Sequence, residues 1–218
     1  MTTPIIVFAK APRPGAVKTR LIPALGAAGA ARLHERLVER TLATAAAAGV
    51  GPLELCGDPP SDPFLAARAA AHGATLTPQG AGDLGARMHR AFERALTSAP
   101  AALAVGCDCP ALATQHLREA SAALAAGHDA VLGPAEDGGY VLIGLARGHA
   151  SLFERIGWGG PDVLEDTRTR LGALGWRWRE LGTLWDIDRP EDLERLRSGI
   201  PDGDRLLQGL SDSVPKRR

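Results

Sequence analysis

The chain has 218 residues, 45% of them hydrophobic, and its 25 lysine and arginine residues balance its 25 aspartate and glutamate residues. This length predicts one domain with a substantial core, and the zero formal charge argues against the positive field that most nucleic-acid-binding proteins carry. No apolar run approaches the roughly 20 residues needed to span a bilayer, and no signal peptide precedes the first apolar run, so we expect a cytoplasmic protein. Three cysteines are too few for a disulfide framework.

Short apolar runs alternate with helical patterns along most of the chain. Predicted strands cover residues 5–8, 53–56, 75–77, 101–105, 130–133, 140–143 and 176–178. Predicted helices cover residues 27–48, 64–72, 86–97, 114–126, 152–156 and 162–174. This alternation, with two late strands that could pair as a hairpin, predicts an α/β protein with a three-layer α/β/α Rossmann-like mixed sheet. We expect residues 1–198 to form a single domain and residues 199–218 to form a tail.

The first predicted strand ends in a basic loop that is interrupted by proline and glycine. Lys10, Arg13, Lys18 and Arg20 follow the strand with no acidic residue among them. Ligands of open α/β sheets bind at the carboxyl ends of strands, so the loop predicts an anion site. The alternative is a solvated loop, because charge runs usually lie on the surface. The loop lacks the Gly-Lys pair of a Walker motif, and no GxGxxG fingerprint follows the strand.

Aspartates follow later predicted strands. Asp108 lies at the end of a middle strand, and Asp186 and Asp188 lie near the last predicted unit. Mg²⁺ takes one or two protein carboxylates and completes its shell with water and phosphate oxygens, so these residues and the basic loop together predict a site for a metal-bound nucleotide. We expect the two signs of charge to stay apart until the substrate bridges them. The structural alternatives are that Asp108 caps a helix or turn and that Asp188 forms a capping box with Glu191.

Two glycine-containing stretches complete the candidate set. Residues 78–85 form a loop whose glycines allow close approach of the backbone to a ligand. The sequence Asp137-Gly138-Gly139 is a strong signal for a short hairpin turn, so a structural role has about the same weight as a functional one. Glu136 is not required by that turn.

Five short motifs follow one another along residues 4–196. They are FAKAPRPGAVKTRL at 8–21, Gln79 with DLGARM at 83–88, GCDCP at 106–110, EDGGY at 136–140 and WDIDRPEDL at 185–193. As an ordered set they resemble a bacterial family of GT-A-fold transferases, commonly described as glycosyltransferases and linked in some members to arsenosugar biosynthesis. The pattern is more distantly similar to the phospholactate and molybdenum-cofactor guanylyltransferases, which share the nucleotide-diphospho-sugar transferase fold.

The resemblance implies a nucleotide bound over the basic loop and a divalent metal, Mg²⁺ or Mn²⁺. The implied catalytic residues are Lys18, Arg20 and Asp108. The implied metal ligands are Asp108 and a late carboxylate, for which Asp188 is favoured over Asp186. Gln79 and the loop at 83–87 would face the base or the sugar, and residues 136–139 the acceptor. The full set of nucleotide-binding and substrate-binding candidates is Ala9, Lys10, Arg13, Gly15, Thr19, Gln79, Asp83, Gly85, Arg87, Glu136, Asp137, Gly138 and Gly139.

The metal segment departs from the pattern of many sugar transferases of this fold. It carries one carboxylate, Asp108 between Cys107 and Cys109, where those enzymes carry a paired Asp-x-Asp. We therefore expect weaker metal binding, or dependence on the distant aspartate.

Three functions fit these residues. The leading hypothesis is a metal-dependent glycosyltransferase that moves a sugar from a nucleotide sugar to a small-molecule acceptor. The second is a guanylyltransferase-like nucleotidyltransferase, in which an acceptor phosphate attacks the α-phosphate of a nucleoside triphosphate and pyrophosphate leaves; the four cations suit that leaving group well. The third is a catalytically idle nucleotide-binding module, against which the retention of Lys18, Asp108 and the late aspartates argues.

Overall fold

The computed structural model describes residues 2–210 and contains seven strands and seven α-helices in that range. The strands are β1 (Ile5–Lys10), β2 (Leu53–Asp58), β3 (Thr75–Pro78), β4 (Ala102–Gly106), β5 (Ala130–Pro134), β6 (Tyr140–Leu145) and β7 (Trp178–Glu180). The helices are α1 (Ile22–Ala48), α2 (Pro63–Ala71), α3 (Leu84–Leu96), α4 (Thr114–Ala125), α5 (Val163–Ala173), α6 (Asp192–Gly199) and α7 (Gly203–Leu207). Short 3₁₀ turns cover Thr19–Leu21 and Ala150–Leu152.

The strands form one mixed sheet in the order β3-β2-β1-β4-β6-β5-β7. Neighbouring strands are parallel except around β6, which pairs antiparallel with both β4 and β5. Because β6 runs against its neighbours, the turn between β5 and β6 lies at the same edge of the sheet as the carboxyl ends of the parallel strands. The predicted hairpin is confirmed, and its turn joins the loops after β1, β4 and β7 at that edge.

The core has a layer on each face of the sheet. Side chains alternate along β1, so Ile5 and Val7 pack into one apolar cluster and Ile6 into the other. Helices α1, α2 and α4 cover the first face, and α3 and α5 cover the second. The predicted three-layer α/β/α mixed sheet is therefore confirmed.

The element boundaries differ from the predictions in a few places. Helix α1 begins at Ile22 rather than at residue 27, because one helical turn precedes a kink at Gly26, whose φ of 68° is left-handed. The predicted helix at 152–156 is a 3₁₀ turn at Ala150–Leu152, and the predicted strand at 176–178 lies at Trp178–Glu180.

The packed part of the chain extends beyond the expected boundary at residue 198. Leu206 and Leu210 are buried in a third apolar cluster with Leu33 and Leu37 of α1. Residues 199–210 are thus part of the packed domain, since apolar side chains around α7 have a partner surface on α1. The rest of the expected tail, residues 211–218, lies outside the described residues. No helix within residues 2–210 is long and apolar enough to cross a membrane.

Candidate active site

The carboxyl edge of the sheet brings the basic loop and the aspartates into direct contact. Lys18 Nζ lies 2.6 Å from Asp108 Oδ1 and also donates to the carbonyl oxygen of Ile187. Arg20 donates to Asp188 in a second ion pair. The expectation that the two signs of charge stay apart is wrong: each of these cations meets an acid of a different loop, which satisfies both charges at the sheet edge.

Lys18 adopts an unusual backbone conformation. Its φ of 47° and ψ of 40° lie in the left-handed region. Within residues 2–210, Arg155 is the one other non-glycine residue with a positive φ. Its side chain is only 5% exposed, although the loop around it lies on the surface. Such strain is held by the surrounding contacts and clusters at functional sites. The loop therefore directs the ammonium group of Lys18 inward, towards Asp108.

Asp108 is kept ionised by its neighbours. Burial opposes ionisation of the carboxyl, but the Lys18 ammonium outweighs it, so the pKa of Asp108 is lowered. The side chain remains 54% exposed and accessible to a ligand. Asp108 does not cap the next helix, because α4 begins after Ala113. The alternative that Asp108 caps the following helix is therefore wrong.

Asp186, not Asp188, lies among uncompensated negative charges. Burial, together with the charges of Asp137 and Asp108, raises the pKa of Asp186 to about 6. Asp188 faces Arg20 instead. The capping box is also wrong, because the backbone N–H groups of Asp188 and Arg189 both donate to Asp192.

The donor set fits a hard divalent cation that the substrate completes. Asp108 and Asp186 offer two carboxylates, and Mg²⁺ or Mn²⁺ would take its other ligands from water and phosphate oxygens. The raised pKa of Asp186 reflects burial first and then the negative charges of Asp137 and Asp108, and a bound cation would favour the ionised form. Within the described chain, no three His, Cys, Asp or Glu residues come together as a ready-made metal site. Burial raises the pKa of Cys107 and Cys109, so these thiols are poor metal ligands.

A groove of about 560 Å³, here called the basic groove, runs over the loop after β1. The name refers to the basic loop, because the walls carry both signs of charge. They include the cations Lys10, Lys18 and Arg20 and the aspartates Asp108, Asp137, Asp186 and Asp188, as well as Thr19 and the candidate Gln79. Arg13 and Gly15 lie outside this lining: Arg13 is 62% exposed and 3.9 Å from Asp62, and Gly15 has a φ of 85°. Gly15 therefore serves the turn of the loop.

His34 also lines the basic groove and was missed from the sequence. Its Nε2 lies 2.9 Å from the carbonyl oxygen of Lys10, and its Nδ1 is buried without a hydrogen-bond partner. Burial lowers the pKa of His34, although Asp108 opposes this shift. Its one sequence signal is that it is polar on the buried face of α1, between Leu33 and Leu37.

Gln79 and Arg87 tie together the strand ends beside the basic groove. Buried Gln79 donates to the carbonyl oxygens of Ala9 and Cys56, and its own side-chain oxygen accepts from Arg87 at 2.9 Å. Arg87 also donates to Asp58 at 2.8 Å, which places Asp58, another residue missed from the sequence, at this end of the sheet. These bonds hold the first three strand ends in register.

Asp83 and Gly85 have structural roles at the start of α3. Asp83 caps the helix by accepting from the N–H of Ala86 at 2.8 Å. Gly85 allows a close approach, because a Cβ there would lie 2.2 Å from the carbonyl oxygen of Phe153 and 2.6 Å from Trp158 Nε1. These contacts fix the loop that carries Trp158 against α3.

The turn at residues 136–139 is a structural turn that also carries a site residue. Asp137 accepts from the N–H of Gly139 at 2.9 Å, and Gly138 has a φ of 89° and approaches Pro161 closely. Glu136 forms a bidentate pair with Arg195, which lowers the pKa of Glu136. Glu136 is therefore engaged by α6, whereas Asp137 lies beside Asp186.

Two further depressions meet the basic groove. The apolar cavity, of about 310 Å³, lies between β1, β4, β6, α3 and α5. The outer groove, of about 470 Å³, is lined by Arg20, Arg189 and Arg195 among other residues. All three depressions share Asp137, Gly159 and Asp186, and the apolar cavity and the basic groove also share Asp108. The carboxylates thus stand where three binding spaces converge.

Solved structures of transferases share this architecture. A protein from Desulfovibrio desulfuricans G20, provisionally described as a nucleotide-diphospho-sugar transferase, superposes with a TM-score of 0.83 at 29% identity over 95% of each chain. Glucosyl-3-phosphoglycerate synthase from Mycobacterium tuberculosis, solved with Mn²⁺, UDP and glucosyl-3-phosphoglycerate, gives 0.54 at 15% identity over 99% of this chain and 81% of that one. A nucleotidyl transferase from Methanothermobacter thermautotrophicus gives 0.57 at 17% over 91% and 98%. None of the curated proteins matches the sequence.

The fold and these similarities define the class. The protein is a nucleotide-using transferase of the GT-A type, an enzyme class that contains both glycosyltransferases and nucleotidyltransferases. Residues 41–160 match the model of a bacterial family, and the chain belongs to that family, which is described as "Uncharacterized protein conserved in bacteria (DUF2064)".

Proposed function

We propose that the protein is a metal-dependent glycosyltransferase that transfers a sugar from a nucleotide sugar to a small-molecule acceptor. The observation that carries this proposal is the position of the Lys18–Asp108 ion pair beside Asp186, at the point where the basic groove meets the apolar cavity. A diphosphate fits the basic side, and an acceptor without negative charge fits the other. The likeness to the D. desulfuricans protein supports the same function.

The basic groove would hold the nucleotide. Lys18 and Arg20 exchange their carboxylate partners for phosphate oxygens, with Lys10 at the same groove. Asp108 and Asp186 would hold the divalent metal, which supplies positive charge to the diphosphate leaving group. This proposal replaces Asp188 with Asp186 as the late metal ligand, because Asp186 lines both depressions that Asp108 lines, whereas Asp188 does not line the apolar cavity.

The transfer step exchanges one carbon–oxygen bond for another. The acceptor oxygen forms a bond to the anomeric carbon, while the bond from that carbon to the phosphate oxygen breaks and leaves its electron pair on the nucleoside diphosphate. The proton of the acceptor hydroxyl passes to Asp137, the carboxylate that borders all three depressions and is not assigned to the metal. Lys18 and Arg20 neutralise the charge that develops on the leaving group.

Nucleotidyl transfer is the second candidate, and the outer groove favours it. Arg20, Arg189 and Arg195 line that groove and could receive an acceptor phosphate, although five acidic residues also line it: Glu136, Asp137, Asp186, Asp188 and Asp192. Two of these cations already have acidic partners, Arg20 with Asp188 and Arg195 with Glu136. Lys18 is also paired, so phosphate binding requires these ion pairs to open in either reaction.

Product analysis separates the two candidates. The purified protein is incubated with Mg²⁺ or Mn²⁺ and a panel of nucleotide sugars and nucleoside triphosphates, with and without small acceptors. Release of a nucleoside diphosphate from a nucleotide sugar supports glycosyl transfer, and release of pyrophosphate from a triphosphate overturns it. Neither product, with no thermal shift from any nucleotide, would contradict both candidates.

A further inference from the structure

We infer that the apolar cavity is the acceptor site, and that the acceptor is a small uncharged molecule with a mostly hydrocarbon body and a reactive hydroxyl group. The inference rests on the proposed function, because it names the second substrate of that reaction. It goes further in assigning the chemical class that the cavity selects.

The walls of the cavity are hydrocarbon. Phe8 of β1, Met88 of α3, Ile143 of β6, Val163 of α5 and the ring of Trp158 surround it, and Met88, Ile143 and Val163 are almost fully buried. Its volume of about 310 Å³ is at the lower end of the range of small-molecule sites, roughly 300–1,000 Å³. A small apolar body fits this space and gains free energy by leaving water.

The polar groups of the cavity select against other acceptors. Asp108, Asp137 and Asp186 line it, and no lysine, arginine or histidine does so among the residues that the structure describes. A phosphorylated or carboxylated acceptor would find no basic side chain on the cavity wall to bind it and would meet the carboxylate of Asp137, which is not assigned to the metal, and this is unfavourable. The acceptor site is therefore built for an uncharged molecule.

A polyol or a sugar would also lose hydrogen bonds on entry. The Tyr140 hydroxyl and the Trp158 indole N–H are buried and have no hydrogen-bond partner, and a Cβ at Gly85 would lie only 2.6 Å from the indole nitrogen. Neither group is accessible, so neither can form a hydrogen bond with a ligand in the cavity. A hydroxyl group that lies along the hydrocarbon walls, away from the carboxylates of Asp108, Asp137 and Asp186, would thus leave water without a replacement partner, which costs free energy.

Leu84 extends the hydrocarbon surface to the rim. It is the one large hydrophobic residue within residues 2–210 that is exposed, at 43%, and it lines both the apolar cavity and the basic groove. Met88 lies one helical turn further along α3 and continues the same face into the cavity. A single exposed leucine is ordinary. Here it joins an apolar interior to the groove in which the nucleotide would lie.

The chain offers a specific probe of the cavity. Met1 and Met88 are its only methionines, so protein labelled with ¹³C at the methionine methyl groups gives two signals, and a Met88→Leu variant assigns the cavity signal. Linear primary alcohols of increasing length are titrated without nucleotide, with glycerol and glycerol 3-phosphate as polar and anionic comparisons. We expect the Met88 signal to shift with the alcohols, with affinity rising about fourfold per methylene group until the chain fills the cavity.

Two variants connect the signal to this cavity. Val163→Phe should abolish the alcohol-dependent shift by filling the space, and Leu84→Gln, at an exposed position, should weaken binding severalfold without disturbing the core. Leu174→Gln is the control, because the half-buried Leu174 directly follows α5 but lies outside the cavity lining, and its titration should equal that of the wild type. Equal shifts with glycerol or glycerol 3-phosphate, no shift with any alcohol, or no effect of Leu84→Gln would overturn the inference.

The titration also separates this inference from the proposed function. If alcohols shift Met88 but no nucleotide sugar yields a nucleoside diphosphate, the cavity assignment stands and glycosyl transfer fails. If a nucleoside diphosphate is released with polyol acceptors alone, while Met88 does not respond to alcohols, glycosyl transfer stands and the acceptor class is wrong.

Discussion

The basic groove and the apolar cavity border the same carboxylates but differ in how their polar groups are satisfied. In the basic groove, Lys18 contacts Asp108 and Arg20 contacts Asp188, so its cations already have partners that a phosphate must displace. In the apolar cavity, most of the wall beside these carboxylates is hydrocarbon, and no lysine, arginine or histidine of residues 2–210 lines it. The basic groove would therefore select a ligand whose charges replace its ion pairs. The apolar cavity would instead select a ligand that needs few hydrogen-bond partners.

The largest expected effect comes from removing the carboxylate at the boundary of the two regions. Asp108→Asn keeps the side-chain shape but removes the charge that pairs with Lys18 and that we assign to the metal. We expect turnover to fall by a factor on the order of 10²–10³, the usual scale for loss of one electrostatic group in a transition state. The measurement is the steady-state rate of nucleoside diphosphate release.

Asp204→Asn is the control for Asp108→Asn, because Asp204 is an exposed aspartate of α7 far along the chain from the site. It should retain wild-type turnover. Full activity of Asp108→Asn, with unchanged metal dependence, would disprove the metal assignment.

The next effect concerns stability and comes from Asp186. Because the pKa of Asp186 is raised to about 6 in the folded protein, its contribution to the free energy of unfolding is present below about pH 4 and is lost as the pH rises through 6. Asp186→Asn should therefore stabilise the metal-free protein at pH 7 by about 2 kcal/mol, with little difference at pH 4. Urea unfolding at both pH values measures this.

A divalent metal should reverse the order of stability of the wild type and Asp186→Asn at pH 7. Addition of Mn²⁺ at pH 7 is expected to stabilise the wild type more than Asp186→Asn, since a bound cation compensates the negative charge that the variant lacks. If Asp186→Asn were less stable than the wild type at pH 7 without metal, the local excess of negative charge would not exist.

Gly85→Ala tests the wall of the apolar cavity. The new methyl group would lie 2.2 Å from the carbonyl oxygen of Phe153, so the loop carrying Trp158 must move. We expect a loss of about 1–3 kcal/mol in the free energy of unfolding, the usual cost of overpacking. Thermal unfolding with Trp fluorescence checks this, and Gly172→Ala, where no atom lies within 4 Å of an added Cβ, is the matched helical control.

The smallest effect separates the two late acids at the start of α6. Asp192→Ala should cost about 1 kcal/mol, because its carboxylate accepts from the backbone N–H groups of Asp188 and Arg189. Asp188→Ala should cost less, since it removes an exposed pair with Arg20. Chemical denaturation of both variants ranks them, and a larger loss for Asp188→Ala would contradict these roles.

The fold was predictable because each strand is a short apolar run and because apolar residues recur at helical spacing in the segments that connect parallel strands. The convergence of the basic loop with Asp108 and Asp186 was also predictable, because the ends of parallel strands share one edge. The start of α6 at Asp192 could not be predicted in this way. Asp188 and Glu191 have the spacing of a capping box, and only the backbone path shows that Asp192 reaches back to the preceding N–H groups.

The pairing of charges and the apolar cavity could not be derived from the sequence. The contact between Lys18 and Asp108 depends on a left-handed backbone at Lys18, a conformation that the sequence does not signal for a lysine. The cavity wall draws Phe8, Met88, Ile143 and Val163 from four separate elements. Each of them has the pattern of an ordinary core residue, and the space between them exists only once the layers are packed.

The bond from Lys18 to Ile187 has a consequence for biosynthesis. The two residues are 169 positions apart, and the N–H of Ile187 also donates to the carbonyl oxygen of Asp108 at 2.8 Å. During translation from the amino terminus, the basic loop and the strand before Asp108 leave the ribosome well before Ile187 does. The nascent chain therefore holds its basic loop without the segment that completes the candidate site, and that site is assembled only when the carboxyl-terminal part of the domain docks.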